Sequence, residues 1–254
     1  MEWAVIFTEA KTVGFMLLFF RFAALFIAAP IFSHQSIPAK VKAAMAFFFT
    51  VVLYPSMPPV QIDITVPSIV LAILSEFMLG LAVGIILQLA YNIITYAGGL
   101  ISFQMGFSMA SAIDPQTGIS MPIISQFLSL MGLMILFAVD LHHWLILFID
   151  ASLQKVPLGG FVMSEHLFNY VISATSNMLL VGFMIAFPII ALSLLQDVIF
   201  GMLMKTMPQF NLLVIGFPIK IMVAFAVLIA TFTSTMLILK GQMLEAFNAL
   251  EMLF

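Results

Sequence analysis

Long runs of apolar residues separated by short polar turns dominate the chain. Within these runs, apolar and polar side chains do not alternate as they would in the strands of an outer-membrane barrel. Most runs reach the ~20 residues that a helix needs to cross the ~30 Å hydrocarbon core of a bilayer. The pattern therefore predicts an all-α integral membrane protein with about six hydrophobic segments, at residues 13–32, 43–54, 69–96, 123–149, 167–195 and 212–239.

Prolines and glycines indicate where these segments are interrupted. Pro188 lies inside one segment and is expected to kink its helix. Gly98, Gly99 and Gly106 are expected to break the helix of the third segment and open a polar loop. The sequence thus predicts one membrane domain, residues 1–254, in which some segments are kinked or broken into helical hairpins.

The end of the chain, residues 241–254, has a different pattern. Met243, Phe247, Leu250 and Phe254 recur at spacings of four, three and four residues, which places them on one face of a helix. We expect an amphipathic C-terminal helix that lies on a membrane or on a partner protein.

Composition narrows the class of protein further. Of 254 residues, 64% are hydrophobic and only 7% are charged, whereas a soluble domain carries roughly 25% charged residues. This scarcity of charge excludes a soluble globular enzyme. The net charge of −3, without a basic cluster, argues against a nucleic-acid partner. The chain has no cysteine and no sequence motif of a nucleotide or cofactor site, so we expect neither an enzyme nor a cofactor.

Among the charged residues inside or beside the apolar segments, four are candidates for buried charges: Arg21, Glu76, Asp140 and Asp197. A charge at the centre of a lone membrane helix costs about 2.5–3.5 kcal/mol on insertion scales, so each is expected to find a partner or water. Two interpretations stay open. The charges either form an ion or proton pathway, or make structural ion pairs between helices.

Glu76, Gly80 and Gly84 recur every fourth residue and therefore share one helix face. The two glycines form the small-residue motif that lets helix backbones approach closely in lipid. Together with Arg21, this face predicts tight packing of helices or subunits. The sequence leaves open whether Arg21 pairs with Glu76 within the chain or with another subunit.

Asp140, His142 and His143 invite comparison with a metal site. Successive residues of a helix point about 100° apart, so on one helix only Asp140 and His143 converge. Two ligands are too few for zinc, which takes three or four from the protein. We therefore predict no metal site here, but polar residues near an aqueous interface.

Residues 104–122 form the most informative segment. An Asp-Pro pair and a following glycine specify a turn, while methionine and phenylalanine side chains would be wasted in an exposed loop. A mobile but apolar loop suits a seal. Apolar bulk is supplied by Met105, Phe107, Met109, Ile113 and Met121, and the turn is shaped by Gly106, Asp114, Pro115 and Gly118.

This loop, with the Glu76 face before it and the stretch from Pro122 to His143 after it, resembles the FliR family of the bacterial flagellar export apparatus. The resemblance covers essentially the whole chain. It implies a subunit that joins FliP and FliQ in a pore for unfolded flagellar proteins across the inner membrane, at the flagellar basal body. It also implies that residues 106–122 plug the closed pore, that FlhB and FlhA are further partners, and that the helices are partly lifted out of the bilayer.

Two alternatives remain beside this reading. Export subunits of virulence-type secretion systems share the architecture. From another class, a secondary transporter of a small solute would have discontinuous helices at Pro188 and Pro218, with Glu76 or Asp140 coupling to protons. Such transporters usually have two similar halves, which this chain lacks. An intramembrane enzyme is a more distant alternative, because no nucleophile, base and orienting residue stand at helical spacing.

Overall fold

The computed structural model describes residues 9–34, 37–60, 62, 64–107, 122–207 and 212–253. Over these residues the chain is helical and contains no strand, which confirms the predicted all-α class. A 3₁₀ turn, Tyr54–Ser56, follows the second helix, and a π-helical turn, Leu212–Gly216, precedes the last. The helices are α1 (Glu9–Ala28), α2 (Ala39–Leu53), α3 (Val66–Gln104), α4 (Ile123–Ala138), α5 (Leu141–Lys155), α6 (Glu165–Thr206) and α7 (Phe217–Leu253).

The number of possible membrane spans agrees with the sequence. Among the described residues, five helical stretches are long and apolar enough to cross a bilayer: α1, α2 together with its 3₁₀ turn, α3, α6 and α7. The pair α4 and α5 passes the same test together, but its two helices are bent by 59° at their junction. With this bent pair counted as one span, the prediction of about six hydrophobic segments is confirmed.

The segment predicted over residues 123–149 is broken between α4 and α5, as expected of some segments in this chain. Asp140 adopts a left-handed backbone conformation with φ of 57°, and α5 begins only at Leu141. Aspartate tolerates this conformation better than most residues because its short side chain can hydrogen-bond locally. The Asp140 N–H donates to the carbonyl of Phe137, which closes the end of α4.

Gly98 and Gly99 do not end α3, contrary to expectation, and the helix continues to Gln104. A Cβ on Gly98 would lie 2.5 Å from the Cα of Ser125, so this glycine marks a close approach of two backbones. The left-handed glycine is Gly106, with φ of 84°, two residues beyond the helix. The sequence does not distinguish a glycine that lets two backbones approach from a glycine that forms a left-handed turn. The surrounding packing decides between these two roles.

The two prolines of the transporter alternative do not mark gaps between helices. Pro188 lies inside the continuous α6, and Pro218 is the second residue of α7. Near a helix start the missing proline N–H has no partner to lose. The discontinuous helices expected of a transporter are therefore not present at these two positions.

The predicted C-terminal helix, residues 241–254, is the end of α7 rather than a separate element. Its apolar residues Met243, Phe247 and Leu250 are buried within the chain itself, so the chain covers the face that we assigned to a membrane or a partner. Phe254 lies outside the described residues.

The chain divides into two compact units. Unit 1 comprises Met1–Leu89, Leu136–Ala174 and Met243–Phe254, and unit 2 comprises Ala90–Ile135 and Thr175–Gln242. In unit 1, the rings of Phe22, Phe26 and Phe49 pack together with centroids 5.7–5.9 Å apart. In unit 2, a core cluster forms around Ile93, Ala97 and Ile185. The assignment of residues 1–254 to one membrane domain stays a prediction.

Candidate functional site

Arg21 and Glu76 form a fully buried ion pair inside unit 1. Both side chains have 0% exposure. The guanidinium of Arg21 on α1 donates from Nε and Nη2 to the two carboxylate oxygens of Glu76 on α3. A paired fork of this kind is the strongest arrangement of arginine and carboxylate. The question that the sequence left open is thus answered, since the two charges pair within the chain.

Three further contacts surround this pair. Arg21 Nη1 donates to Ser152 Oγ at 2.9 Å, and Nη2 lies 3.4 Å from the carbonyl oxygen of Val156. The backbone N–H of Gly159 donates to Glu76 Oε1 at 2.7 Å. The network therefore ties α1 and α3 to the end of α5 and to the turn that follows it.

These contacts favour the structural interpretation of the Arg21–Glu76 pair over a proton pathway. A buried pair is stable only if its remaining hydrogen-bonding positions are satisfied, and here both oxygens of Glu76 accept hydrogen bonds. Removal of either charge would leave the other buried and unpaired. The pair is therefore suited to hold helices in place.

Gly80 and Gly84 lie on the same face of α3 as Glu76, and this face packs against α1. A Cβ on Gly80 would overlap the carbonyl oxygen of Arg21 and lie 2.8 Å from the Cβ of Ala24. A Cβ on Gly84 would overlap the Cβ of Ala28. Since neither backbone can yield like a flexible side chain, glycine is required for this approach. The two glycines pack α3 against α1 of the same chain, and a role in packing against other subunits stays a prediction.

The predicted plug loop is described at its beginning. Met105 is fully buried, and Gly106 turns the chain away from α3 in the left-handed conformation. A Cβ on Gly106 would lie 2.8 Å from the ring of Phe217, in addition to the strain of positive φ. Phe107 is half-buried. The other predicted plug residues, Met109, Ile113, Asp114, Pro115, Gly118 and Met121, lie outside the described residues.

Comparison with known proteins decides the family. The family model of bacterial export proteins, family 1, matches residues 12–246. The chain belongs to the FliR family. It is 35% identical over 222 residues to the flagellar biosynthetic protein FliR of Bacillus subtilis (strain 168), covering 85% of each chain.

Other FliR proteins match over a similar or greater length. The FliR of Escherichia coli (strain K12) is 30% identical over 210 residues, which cover 83% of this chain and 80% of the relative. The FliR of Aquifex aeolicus (strain VF5) is 23% identical over 250 residues, or 96% and 95% of the two chains. Membership of the FliR family makes the chain a flagellar export component, and this family is a structural part of the export apparatus.

A second ion pair of the chain lies in unit 2 and includes Asp197, for which the sequence predicted a partner. Lys220 Nζ on α7 donates to both carboxylate oxygens of Asp197 on α6, at 2.8 and 2.9 Å. The side chains are 12% and 49% exposed respectively. Sequence reasoning did not name this pair, although a lysine inside an apolar segment was a usable signal.

Ser152 and Gly159 were also missed as members of the Arg21–Glu76 network. Ser152 is separated from Arg21 by 131 positions, and Gly159 is separated from Glu76 by 83. Neither residue can be recognised from its neighbours in the sequence, because a serine in a helix and a glycine in a turn are common.

The polar cluster at residues 140–143 is arranged differently from the sequence-based expectation. Because α5 begins at Leu141, Asp140 is not held on the helix with the two histidines. Ligand atoms from Asp140, His142 and His143 all lie within 4.8 Å of one another. The geometric reason for which we predicted no metal site therefore does not hold.

Proposed function

We propose that this chain is a core subunit of the flagellar type III protein export gate. With FliP and FliQ it forms the pore through which unfolded flagellar proteins cross the bacterial inner membrane at the flagellar basal body. FlhB and FlhA are its further partners. The family membership and the flagellar names of the relatives support this proposal.

The structural observation that supports an assembly with other proteins is the apolar surface left uncovered on very long helices. At 1.5 Å per residue, the 42 residues of α6 extend over about 63 Å, twice the ~30 Å hydrocarbon core. Only 28% of the apolar stretch of α6 and 22% of that of α7 is buried within the chain. Lipid can cover about half of such a helix, so we infer that neighbouring protein chains cover the rest.

The exposed surface of α6 has the form expected of a helix interface. Large apolar side chains form one row along the helix, with spacings of three, four, seven and four residues. Each of these side chains is about half exposed: Leu180, Phe183, Phe187, Leu194 and Val198. On a helix about twice as long as the hydrocarbon core, such a row can face lipid over part of its length and a neighbouring protein helix over the rest. FliP and FliQ are the partners that we propose for it.

Purification tests the proposed assembly. The chain, co-expressed with FliP and FliQ of the same organism and extracted in mild detergent, should be recovered with both proteins. Recovery as a stable monomer or homodimer without these proteins would favour the secondary transporter. Restoration of motility in a strain that lacks its own FliR would distinguish the flagellar function from that of a virulence-type export subunit.

We also propose that residues 106–122 seal the closed pore. Support comes from the start of this loop, where Met105 is buried and the left-handed Gly106 turns the chain two residues beyond α3. Deletion of residues 108–118 should raise ion leakage through the assembled gate. Unchanged conductance would contradict the plug assignment.

A finer test replaces apolar bulk without shortening the loop. Met109→Ser with Ile113→Ser should raise ion leakage and leave the assembly intact, because a polar loop seals less well against an apolar pore. Met163→Ser is the matched control, since Met163 is a 53% exposed methionine in the turn before α6. Equal leakage in the control and the double variant would show that the effect is not specific to the plug.

A further inference from the structure

We propose that Asp140, His142 and His143 bind a divalent transition-metal ion of the zinc class at the junction of α4 and α5. The junction brings these side chains together because Asp140 leaves the helical path with φ of 57°. Within the described part of the chain, the three residues offer ligand atoms that lie within 4.8 Å of one another. Neither the family membership nor the export function calls for this site.

The cluster is partly organised before any ion binds. The Nδ1 atom of His143 lies 3.3 Å from Oδ1 of Asp140. The ring of His142 lies between two other rings, with centroids 5.4 Å from Phe137 and 4.1 Å from His143. The imidazole of His143 and the carboxylate of Asp140 are close enough to bind one ion together, and the rings around His142 restrict its movement.

One atom of the cluster lacks a partner. The Nδ1 atom of His142 is buried and makes no hydrogen bond to any described residue. A buried polar atom without a hydrogen bond is unfavourable, because it has given up its contacts with water without replacement. Coordination through this nitrogen would supply the missing partner, which is an observation independent of the convergence of the three side chains.

The donor set selects the class of ion. Imidazole nitrogens suit Zn²⁺, Cu²⁺ and Ni²⁺, whereas Mg²⁺ and Ca²⁺ prefer oxygen ligands. Two histidines and one carboxylate give three protein ligands and leave one position for water, as in open zinc sites. The side chains of Asp140 and His143 are 67% and 64% exposed, so they can turn toward an ion. The bound ion would fix the first turn of α5 to the junction.

Metal binding by the purified full-length chain tests this proposal directly. The protein is prepared in detergent without a histidine tag and titrated with Zn²⁺ by calorimetry, and with Co²⁺ as a spectroscopic probe. One ion per chain is expected, with visible absorption that reports nitrogen ligands to Co²⁺. His142→Asn and His143→Asn should each weaken Zn²⁺ binding at least about tenfold, and Asp140→Asn should also weaken it.

His166→Asn is the matched control, because His166 is an exposed histidine in the first turn of α6. It should bind Zn²⁺ like the unmodified chain. Absence of stoichiometric binding, or equal weakening by His166→Asn and His143→Asn, would overturn the proposal. If His142→Asn does not accumulate as folded protein, Zn²⁺ binding by His143→Asn decides the test, because the side chain of His143 is largely exposed. The measurement does not depend on the export gate, so failure of one proposal leaves the other standing.

Discussion

Within the described part of the chain, two ion pairs join helices, and they lie in opposite environments. In unit 1, Arg21 and Glu76 are both fully buried, and Ser152 contributes a further hydrogen bond to the guanidinium. In unit 2, Lys220 is mostly buried but the carboxylate of Asp197 is 49% exposed. The first pair is completed by the chain itself, whereas the second presents a charge on the surface of α6.

This difference in burial suggests different roles for the two pairs. The Arg21–Glu76 pair holds helices within the chain, whereas the Asp197–Lys220 pair lies on a candidate surface for assembly. A charge inside unit 1 has its hydrogen-bonding partners within the chain, so it needs no other subunit. A half-exposed carboxylate on a largely apolar helix is costly against lipid and is better covered by water or protein. We therefore expect substitutions at the first pair to unfold the chain, and those at the second to act on assembly. Four predictions test this comparison.

The largest effect is expected for the buried pair. Arg21→Met should lower the free energy of unfolding by about 3–5 kcal/mol, because it leaves the carboxylate of Glu76 buried and unpaired. Lys11→Met, at an exposed position of α1, is the matched control. Thermal unfolding in detergent measures both, and the prediction fails if the two variants unfold alike. The double variant Arg21→Met with Glu76→Leu should recover part of the lost free energy of unfolding.

Ser152→Ala should have the next largest effect. It removes one hydrogen bond to the charged guanidinium of Arg21, which is worth about 1.5–3 kcal/mol of unfolding free energy. Ser173→Ala, at an exposed position of α6, should change stability little. The same thermal unfolding measurement compares the two. A small effect at Ser152 would mean that Arg21 is held by Glu76 alone.

Gly80→Ala should lower the free energy of unfolding by about 1–3 kcal/mol, because the added methyl group overlaps the backbone of α1. Gly99→Ala on the same helix is the control, since nothing lies within 4 Å of a Cβ at that position. Alanine there should be neutral or stabilising by up to about 1 kcal/mol, as the helix propensities of the two residues predict. Equal unfolding midpoints for the two variants would argue against close packing at Gly80.

The smallest effect on the isolated chain is expected for Asp197→Asn. A half-exposed ion pair contributes about 1 kcal/mol or less, so the unfolding midpoint should hardly move. Recovery of FliP and FliQ with this variant should nevertheless fall below that with Glu165→Gln, an exposed acidic residue at the start of α6. Unchanged recovery would remove Asp197 from the proposed assembly surface.

The sequence shows that the charged side chains in apolar segments need interaction partners, but it does not identify those partners. A charge in an apolar segment must be compensated, which predicted a partner for Arg21 and for Asp197. The partner of Arg21 lies 55 positions away and two of the other network residues lie farther still, so their choice depends on how the helices pack. The same limit applies to glycine, since Gly98 packs inside α3 while Gly106 turns the chain.

Hydropathy and motifs are local properties that add along the chain, so the all-α membrane class, the approximate number of segments and the FliR family follow from the sequence. The pairing of Arg21 with Glu76, the break between α4 and α5 at Asp140, and the burial of the end of α7 against its own chain follow only from how the folded chain packs. These features depend on contacts between residues distant in sequence. A buried charge, a left-handed residue or an apolar face is stable only where such contacts compensate its cost.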